Sequence, residues 1–238
     1  MIVKLVFHCL SLTVIGLYLV IFYLSWSEKR IQKATRIPGK ASSGMVRVVV
    51  PTYNEADNIG RCLDSILSMR ATTPFDATVV DDNSPDGTAD VVSRYDAVNL
   101  IRREARSSKA DALNFSVETL EGEIFAVTDA DCVVSQSWLD GLVEALQNER
   151  VGVATGPVLV RNRGQSLLTR FQACELAFLC YQLLRPVKRV GMLYSINGNN
   201  FAFRRGCWLD AGRFDPTKLT EDTDFAIRVR NKGYEIAV

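Results

Sequence analysis

Val46-Arg47-Val48-Val49-Val50-Pro51-Thr52-Tyr53-Asn54-Glu55 decides the fold. Val46–Val50 is apolar apart from Arg47, which predicts a buried strand. Pro51 is expected to stop that strand, and Asn54 to cap the next helix. Ile59, Cys62, Leu63, Ile66 and Leu67 then recur at i, i+3, i+4, i+7 and i+8, one helical face. The rhythm continues outward. Ala77–Val80, Val98–Ile101 and Glu123–Thr128 read as strands. Gly87–Tyr95, Lys109–Leu120 and Gln136–Gln147 read as helices. Strand and helix in alternation predict βαβ units, an α/β fold with a mostly parallel sheet flanked by helices. Ligands of such sheets bind beyond the carboxyl ends of the strands. The second half is less regular. Leu167–Leu184 predicts an apolar helix, either in the core or on a membrane surface; Arg170, Gln172, Glu175 and Gln182 exclude a membrane span.

The 238 residues are 47% apolar and 23% charged, which excludes a disordered or low-complexity chain. A net charge of +1 argues against a globally basic nucleic-acid binder. Six cysteines without a C-x-x-C pair read as reduced, small hydrophobes rather than a zinc or redox motif. The charge is unevenly spread. Lys4, Lys29, Arg30, Lys33, Arg36 and Lys40 face only Glu28 in residues 1–45, so the body is mildly acidic. Leu5–Leu24 is a 20-residue apolar run whose one basic side chain is His8. As a helix it covers roughly 30 Å, the thickness of bilayer hydrocarbon. Residues 1–26 are therefore expected to be an N-terminal transmembrane anchor, with Tyr18, Tyr23 and Trp26 at the interface. The basic linker at 27–45 puts the body, 46–238, in the cytoplasm by the positive-inside rule. A cleaved signal peptide is the competitor, but no small-x-small site precedes the basic residues.

The polar clusters follow strands. Each has a structural reading and a chemical one. Pro51 to Glu55 can be a turn and a cap, or a pocket rim. Asp81-Asp82-Asn83-Ser84-Pro85-Asp86-Gly87-Thr88 can be an Asx-rich turn, which explains Ser84 to Thr88 better than the adjacent acids. Asp129-Ala130-Asp131 can be a solvated turn, or two carboxylates aimed at one hard cation. Arg102, Arg103, Arg106 and Lys109 can be a solvated loop, or a phosphate-binding set at a helix start. Thr220-Glu221-Asp222-Thr223-Asp224 opens a helix; Thr220 suits its N-cap, but nothing structural requires Asp222 to be acidic. No P-loop, no G-x-G-x-x-G and no G-x-S-x-G is present, and the sole histidine is His8. Those absences remove P-loop, dinucleotide-fold and triad-hydrolase readings.

In order, these clusters resemble the family 2 glycosyltransferases of GT-A fold, over about Val46 to the end. The matching residues are Val49 to Glu55, Asp81 to Ser84, Lys109-Ala110-Asp111-Ala112-Leu113-Asn114 and Asp129-Ala130-Asp131. Gly198 with Phe203-Arg204-Arg205 and Thr220-Glu221-Asp222 complete the set. Within the family the chain looks most like membrane-bound polysaccharide synthases (cellulose, chitin, hyaluronan or poly-N-acetylglucosamine type). Its Asp81–Thr88 run also looks like polyprenyl-phosphate mannosyltransferases. The resemblance implies a Rossmann-like GT-A domain that transfers a sugar from a nucleotide-diphosphate sugar (UDP-sugar favoured, GDP-sugar possible) to a glycan or lipid-linked hydroxyl. It implies that Pro51, Thr52, Tyr53, Glu55, Asp82, Lys109 and Asp129 hold the donor. Asp131 would hold Mg²⁺ or Mn²⁺, Asp222 would be the general base, and Glu221 and Gly198 would face the acceptor. Two departures stand out. The synthases carry Gln-x-x-Arg-Trp and further membrane helices beyond this region, so the domain reads as truncated. Ser107-Ser108 stand where a glycine often precedes the lysine. A non-catalytic nucleotide-sugar-binding subunit is the alternative reading.

Overall fold

The computed structural model describes residues 44–178 and 196–238. The expected anchor at 1–26, and all but the last two residues of the linker at 27–45, lie outside them. So does the last third of the helix expected at 167–184. Among the described residues, no helix is long and apolar enough to cross a membrane. The chain divides into two compact units. Of the described residues, 44–156 and 196–238 form one unit, which carries the whole sheet, and 157–178 belong to the other.

The sheet has seven strands: β1 (Val46–Thr52), β2 (Phe75–Asp81), β3 (Val98–Arg102), β4 (Ile124–Thr128), β5 (Val151–Thr155), β6 (Asn200–Arg204) and β7 (Glu235–Ala237). Their order is β3-β2-β1-β4-β6-β5-β7. β3, β2, β1 and β4 run parallel, β6 runs antiparallel to both neighbours, and β5 pairs parallel with β7. The helices are α1 (Ile59–Leu67), α2 (Thr88–Val92), α3 (Lys109–Thr119), α4 (Trp138–Leu146), α5 (Leu167–Phe178), α6 (Arg205–Asp210) and α7 (Glu221–Asn231). α5 belongs to the second unit and buries none of its residues.

Strand alternation sorts the core onto two faces. Val46, Val48, Val50, Ile124 and Ala126 pack with Ile59, Cys62, Leu63 and Ile66 of α1 and Leu139, Leu142 and Val143 of α4. The other face is aromatic. Phe125 stacks on Phe203 at 5.6 Å, and Phe214 meets Phe203 at 5.6 Å and Phe225 at 4.4 Å between centroids. Every residue of β4 is buried, as the apolar run predicts for a central strand.

Several expectations need correction. Pro51 does not stop β1; it pairs with Val80 inside the sheet. The Thr52 carbonyl accepts from Asp82 N at 2.9 Å on the β2 side, so alternation aims the donorless Pro51 nitrogen toward β4. The β4 ladder ends at Val49, so no hydrogen bond is lost. Asn54 caps nothing: it sits at φ 58° in the turn, and Asn58 occupies the cap position. Leu67 lies at the exposed end of its helix, 39% accessible. The helix expected at 87–95 is confined to α2, because Gly87 at φ 86° is the left-handed residue that precedes it. β5 and β6 went unpredicted, since short strands beside glycine and asparagine carry little periodicity.

Gly152 in β5 leaves no room for a side chain. A Cβ there would overlap the Cys207 sulfur and come within 3.0 Å of the Tyr234 ring. Gly152→Ala is therefore expected to cost about 1–3 kcal/mol through overpacking, read as a lower midpoint of thermal unfolding. An unchanged midpoint would show that α6 yields without cost.

Candidate active site

Topology gathers the polar clusters at one rim. β2, β1 and β4 are parallel neighbours, so their carboxyl ends share an edge of the sheet. The register sets Thr52 opposite Asp81. β6 enters from the same edge, with Asn200 opposite Thr128, which brings residues 197–199 beside the end of β4. The result is a cleft of about 290 Å³. Pro51, Thr52, Tyr53, Glu55, Asp82, Lys109, Asp129 and Asp131 all line it. These are the donor-side and metal positions nominated from the sequence. Arg106, Ser107, Ser108, Ala112 and Ala130 complete the lining.

The loops after β1 and β2 are stapled together. Asn54 N donates to Ser84 Oγ, Glu55 N to Thr88 Oγ1 and Ala56 N to Asp86 Oδ2, each at 3.0 Å. The adjacent acids divide their work. Asp81 is fully buried; it accepts the Ser84 N–H at 3.2 Å and the Ser84 hydroxyl, with Arg102 Nε at 3.5 Å. Its role is to hold the turn. Asp82 faces the cleft and accepts Arg103 Nη1 at 2.8 Å and Ser107 N at 2.6 Å. Thr52 Oγ1 is buried at the cleft with no hydrogen-bond partner among the described residues.

Ser107 and Ser108, the departure noted in the sequence, have definite places. Ser107 bonds Asp82 through both backbone and hydroxyl. Ser108 is the N-cap of α3 in a reciprocal box with Asp111. That box fixes the first turn and so the stem of Lys109. The Lys109 ammonium bonds Asp129 Oδ1, and donates to the Gly198 carbonyl at 3.0 Å. Gly198 N in turn donates to Asp222 Oδ2 at 3.1 Å, while Thr223 N donates to Asp222 Oδ1 at 2.7 Å. Asp222 does not line the cleft itself; Gly198 joins it to the lining. Glu221 is the first residue of α7 and is likewise absent from the lining.

Crowded acids shape the electrostatics. Burial pushes the Asp129 carboxyl above the usual carboxylate range; Lys109 opposes the shift, and Asp131 and Asp222 add to it. Burial, helped by Asp131 and Asp129, pushes the Cys132 thiol up to about 11, so it stays protonated. That thiol lies 3.4 Å from Asp131 Oδ1. Among the described residues, no three His, Cys, Asp or Glu side chains gather to hold a metal by themselves. Asp131 is exposed within the cleft, and with Asp129 it offers hard oxygen donors. One or two carboxylates suit a divalent cation that takes its remaining ligands from a phosphorylated substrate.

The sequence offers Arg103 and Arg106 only as part of a basic set that could bind phosphate; Arg103 instead holds Asp82, and the Arg106 guanidinium lies 4.0 Å from the Tyr53 ring centroid. Both belong to the basic run after β3, which was their only signal. Arg204 and Arg205 serve the scaffold. Arg204 takes the Leu146 carbonyl at the end of α4; Arg205 takes the Val117 and Leu120 carbonyls near the end of α3.

Comparison with known proteins agrees with this geometry. The Bacillus subtilis (strain 168) protein named "Probable glycosyltransferase YdaM" is 33% identical over 202 residues, 80% of this chain and 48% of its own length. "Poly-beta-1,6-N-acetyl-D-glucosamine synthase" of Staphylococcus epidermidis is 25% identical over 195 residues, 80% of this chain and 47% of its own. The chain thus spans about half the length of these relatives. Among solved structures, the mannosyltransferase PcManGT from Pyrobaculum calidifontis, in complex with GDP-Man and Mn²⁺, superposes with a TM-score of 0.71. It is 26% identical, and the match covers 92% of this chain and 62% of that one. The model of the family described as "Glycosyl transferase family 2" matches residues 47–208, from the first strand into α6, and the chain accordingly belongs to glycosyl transferase family 2.

Proposed function

We propose that the chain transfers a sugar from a UDP- or GDP-sugar to a hydroxyl of a glycan or lipid-linked acceptor, with inversion at the anomeric carbon. The carrying observation is the run of contacts Asp129–Lys109–Gly198–Asp222, which ties a candidate base just outside the cleft to a cation that lines it. Tyr53, Thr52 and Asp82 would hold the nucleoside, and Asp129 the ribose side. The unpartnered Thr52 hydroxyl is a polar atom that a bound nucleoside can satisfy. Lys109 faces the charge that grows on the departing diphosphate. Asp222 takes the acceptor hydroxyl's proton as that oxygen bonds the anomeric carbon. The bond from that carbon to the diphosphate oxygen breaks, and its electron pair leaves with the diphosphate. A Mg²⁺ or Mn²⁺ ion held by Asp131 and the diphosphate would supply further charge stabilisation. The neighbour crystallised with GDP-Man and Mn²⁺ supports both the donor class and the cation.

We further propose that the reaction runs at the cytoplasmic membrane face. Support comes from the apolar run Leu5–Leu24 and the basic residues after it. The test of function is release of UDP or GDP from a panel of sugar nucleotides by the full chain with Mn²⁺. Turnover of one donor supports transfer. Binding without turnover under several metals would favour the non-catalytic subunit instead. Asp131→Ala is expected to weaken UDP or GDP binding in Mn²⁺ at least tenfold and to leave metal-free binding unchanged, as calorimetry can read. Equal affinities in Mn²⁺ for both proteins would remove Asp131 from the metal role.

A further inference from the structure

Lys109, which lines the cleft, and Asp222, which does not, bond the same residue. The Lys109 ammonium takes the Gly198 carbonyl, and Asp222 Oδ2 takes the Gly198 N–H. The loop that carries Gly198 is pinned on both flanks. Asn197 N donates to Thr155 Oγ1 at 3.1 Å and its amide to the Gly156 carbonyl at 2.7 Å. Asn199 Nδ2 lies 3.6 Å from Cys132 Sγ, in the turn that follows β4. Gly198 is not in the left-handed region, so its demand is for space rather than for a special backbone conformation. A Cβ there would lie 2.8 Å from Asp222 Oδ2 and 3.3 Å from its Cγ. Any side chain at 198 must displace the acid.

We propose that Gly198 is a positioning residue that couples the donor side of the site to the acid. Its N–H fixes Asp222, and its carbonyl shares the Lys109 ammonium with Asp129. A diphosphate arriving at Lys109 takes the third N–H of that ammonium and, being charged, draws it away from its two present acceptors. Lys109 then loosens its hold on the Gly198 carbonyl, and the residue that fixes Asp222 responds. Donor occupancy is thereby reported to the acid before the acceptor is deprotonated. This rests on the reading of Asp222 as the base.

The test uses the full chain, with UDP and GDP as binding probes and release of nucleotide from the donor that the panel selects as turnover. Gly198→Ala is expected to lower turnover about 100-fold, the usual cost of a misplaced reacting group, with nucleotide affinity almost unchanged. In the Asp222→Asn background the same substitution is expected to add no further loss of residual turnover, because the two act as a unit. An equal loss in both backgrounds, or affinity falling in step with turnover, would overturn the coupling. Asn197→Ser, which removes only the amide bond to Gly156, keeps the question open to experiment should the alanine variant misfold. It is expected to lower turnover by about tenfold at constant affinity; unchanged turnover would count against the coupling. Normal turnover by Asp222→Asn would defeat the base reading separately. The tie itself would then be judged from the Gly198 amide. Faster hydrogen exchange at Gly198 in Asp222→Ala supports it, and unchanged exchange overturns it.

Discussion

Asp222→Asn is expected to lower turnover about 10³-fold while UDP or GDP binds almost as before. The magnitude follows from the role. A positioned general base contributes between two and four orders of magnitude, and the amide cannot accept the proton. Structure should be kept. The carboxylate is partly accessible and is held by two backbone N–H groups, from Gly198 and Thr223. An amide oxygen retains one of those bonds. Donor binding should persist because Asp222 does not line the cleft, and an interaction used only in the transition state lowers kcat without changing affinity. There is one electrostatic side effect. Asp222 is among the groups that hold the Asp129 carboxyl above its usual range, so its neutralisation lets Asp129 ionise more readily. That favours the Lys109 pair and does not oppose binding. The check is a progress curve of nucleotide release beside a binding isotherm. Near-normal turnover would remove Asp222 from proton transfer.

Asn114→Ala is expected to be the most destabilising single change near the site. Asn114 Nδ2 donates to the Phe214 carbonyl at 2.8 Å; its Oδ1 accepts Phe214 N at 3.0 Å and Trp208 Nε1 at 3.1 Å. Phe214 and Trp208 are buried in the aromatic face of the core. Truncation strands three polar groups together, and each buried, unpaired group costs about 1–3 kcal/mol. Partial relaxation leaves a loss on the order of 3 kcal/mol, or roughly 6–12 °C in Tm for a chain of this size. Asn114→Asp keeps the two acceptor bonds and should recover part of it. A Tm within about 2 °C of the parent for the alanine variant would show that the three groups find other partners. The consequence reaches function, since Asn114 links the helix of Lys109 to the aromatic packing that includes Phe225 of α7, the helix of Asp222.

Most of the cleft lining was legible in the sequence because β1, β2 and β4 announce themselves. Each is a short apolar run followed at once by acids or turn formers, and parallel strands send those residues to one edge. The Ile59–Ile66 face was equally plain, since one amphipathic helix buries all of Ile59, Cys62, Leu63 and Ile66. Pro51 misled because proline usually ends a strand. Only the neighbour's shorter ladder shows why it is tolerated here. β5 and β6 stayed hidden because their pairing is long-range and their flanks are glycine and asparagine. For the same reason the role of the 197–199 loop was invisible: its contacts come from α3, β5 and α7, far apart in the chain. Quoted motif residues also proved to be of two kinds. Lys109 faces the cleft, whereas Asp111, Asn114, Arg204 and Arg205 hold the scaffold, a division that spacing alone does not carry.

A structure of the full chain with UDP or GDP and Mn²⁺ is the most direct measurement. The expected result is a nucleotide lying between residues 51–55 and 106–109, its diphosphate within reach of Lys109 and Asp131. A nucleotide bound elsewhere on the surface, with this cleft empty at saturating concentration, would contradict the assignment of these residues to sugar transfer.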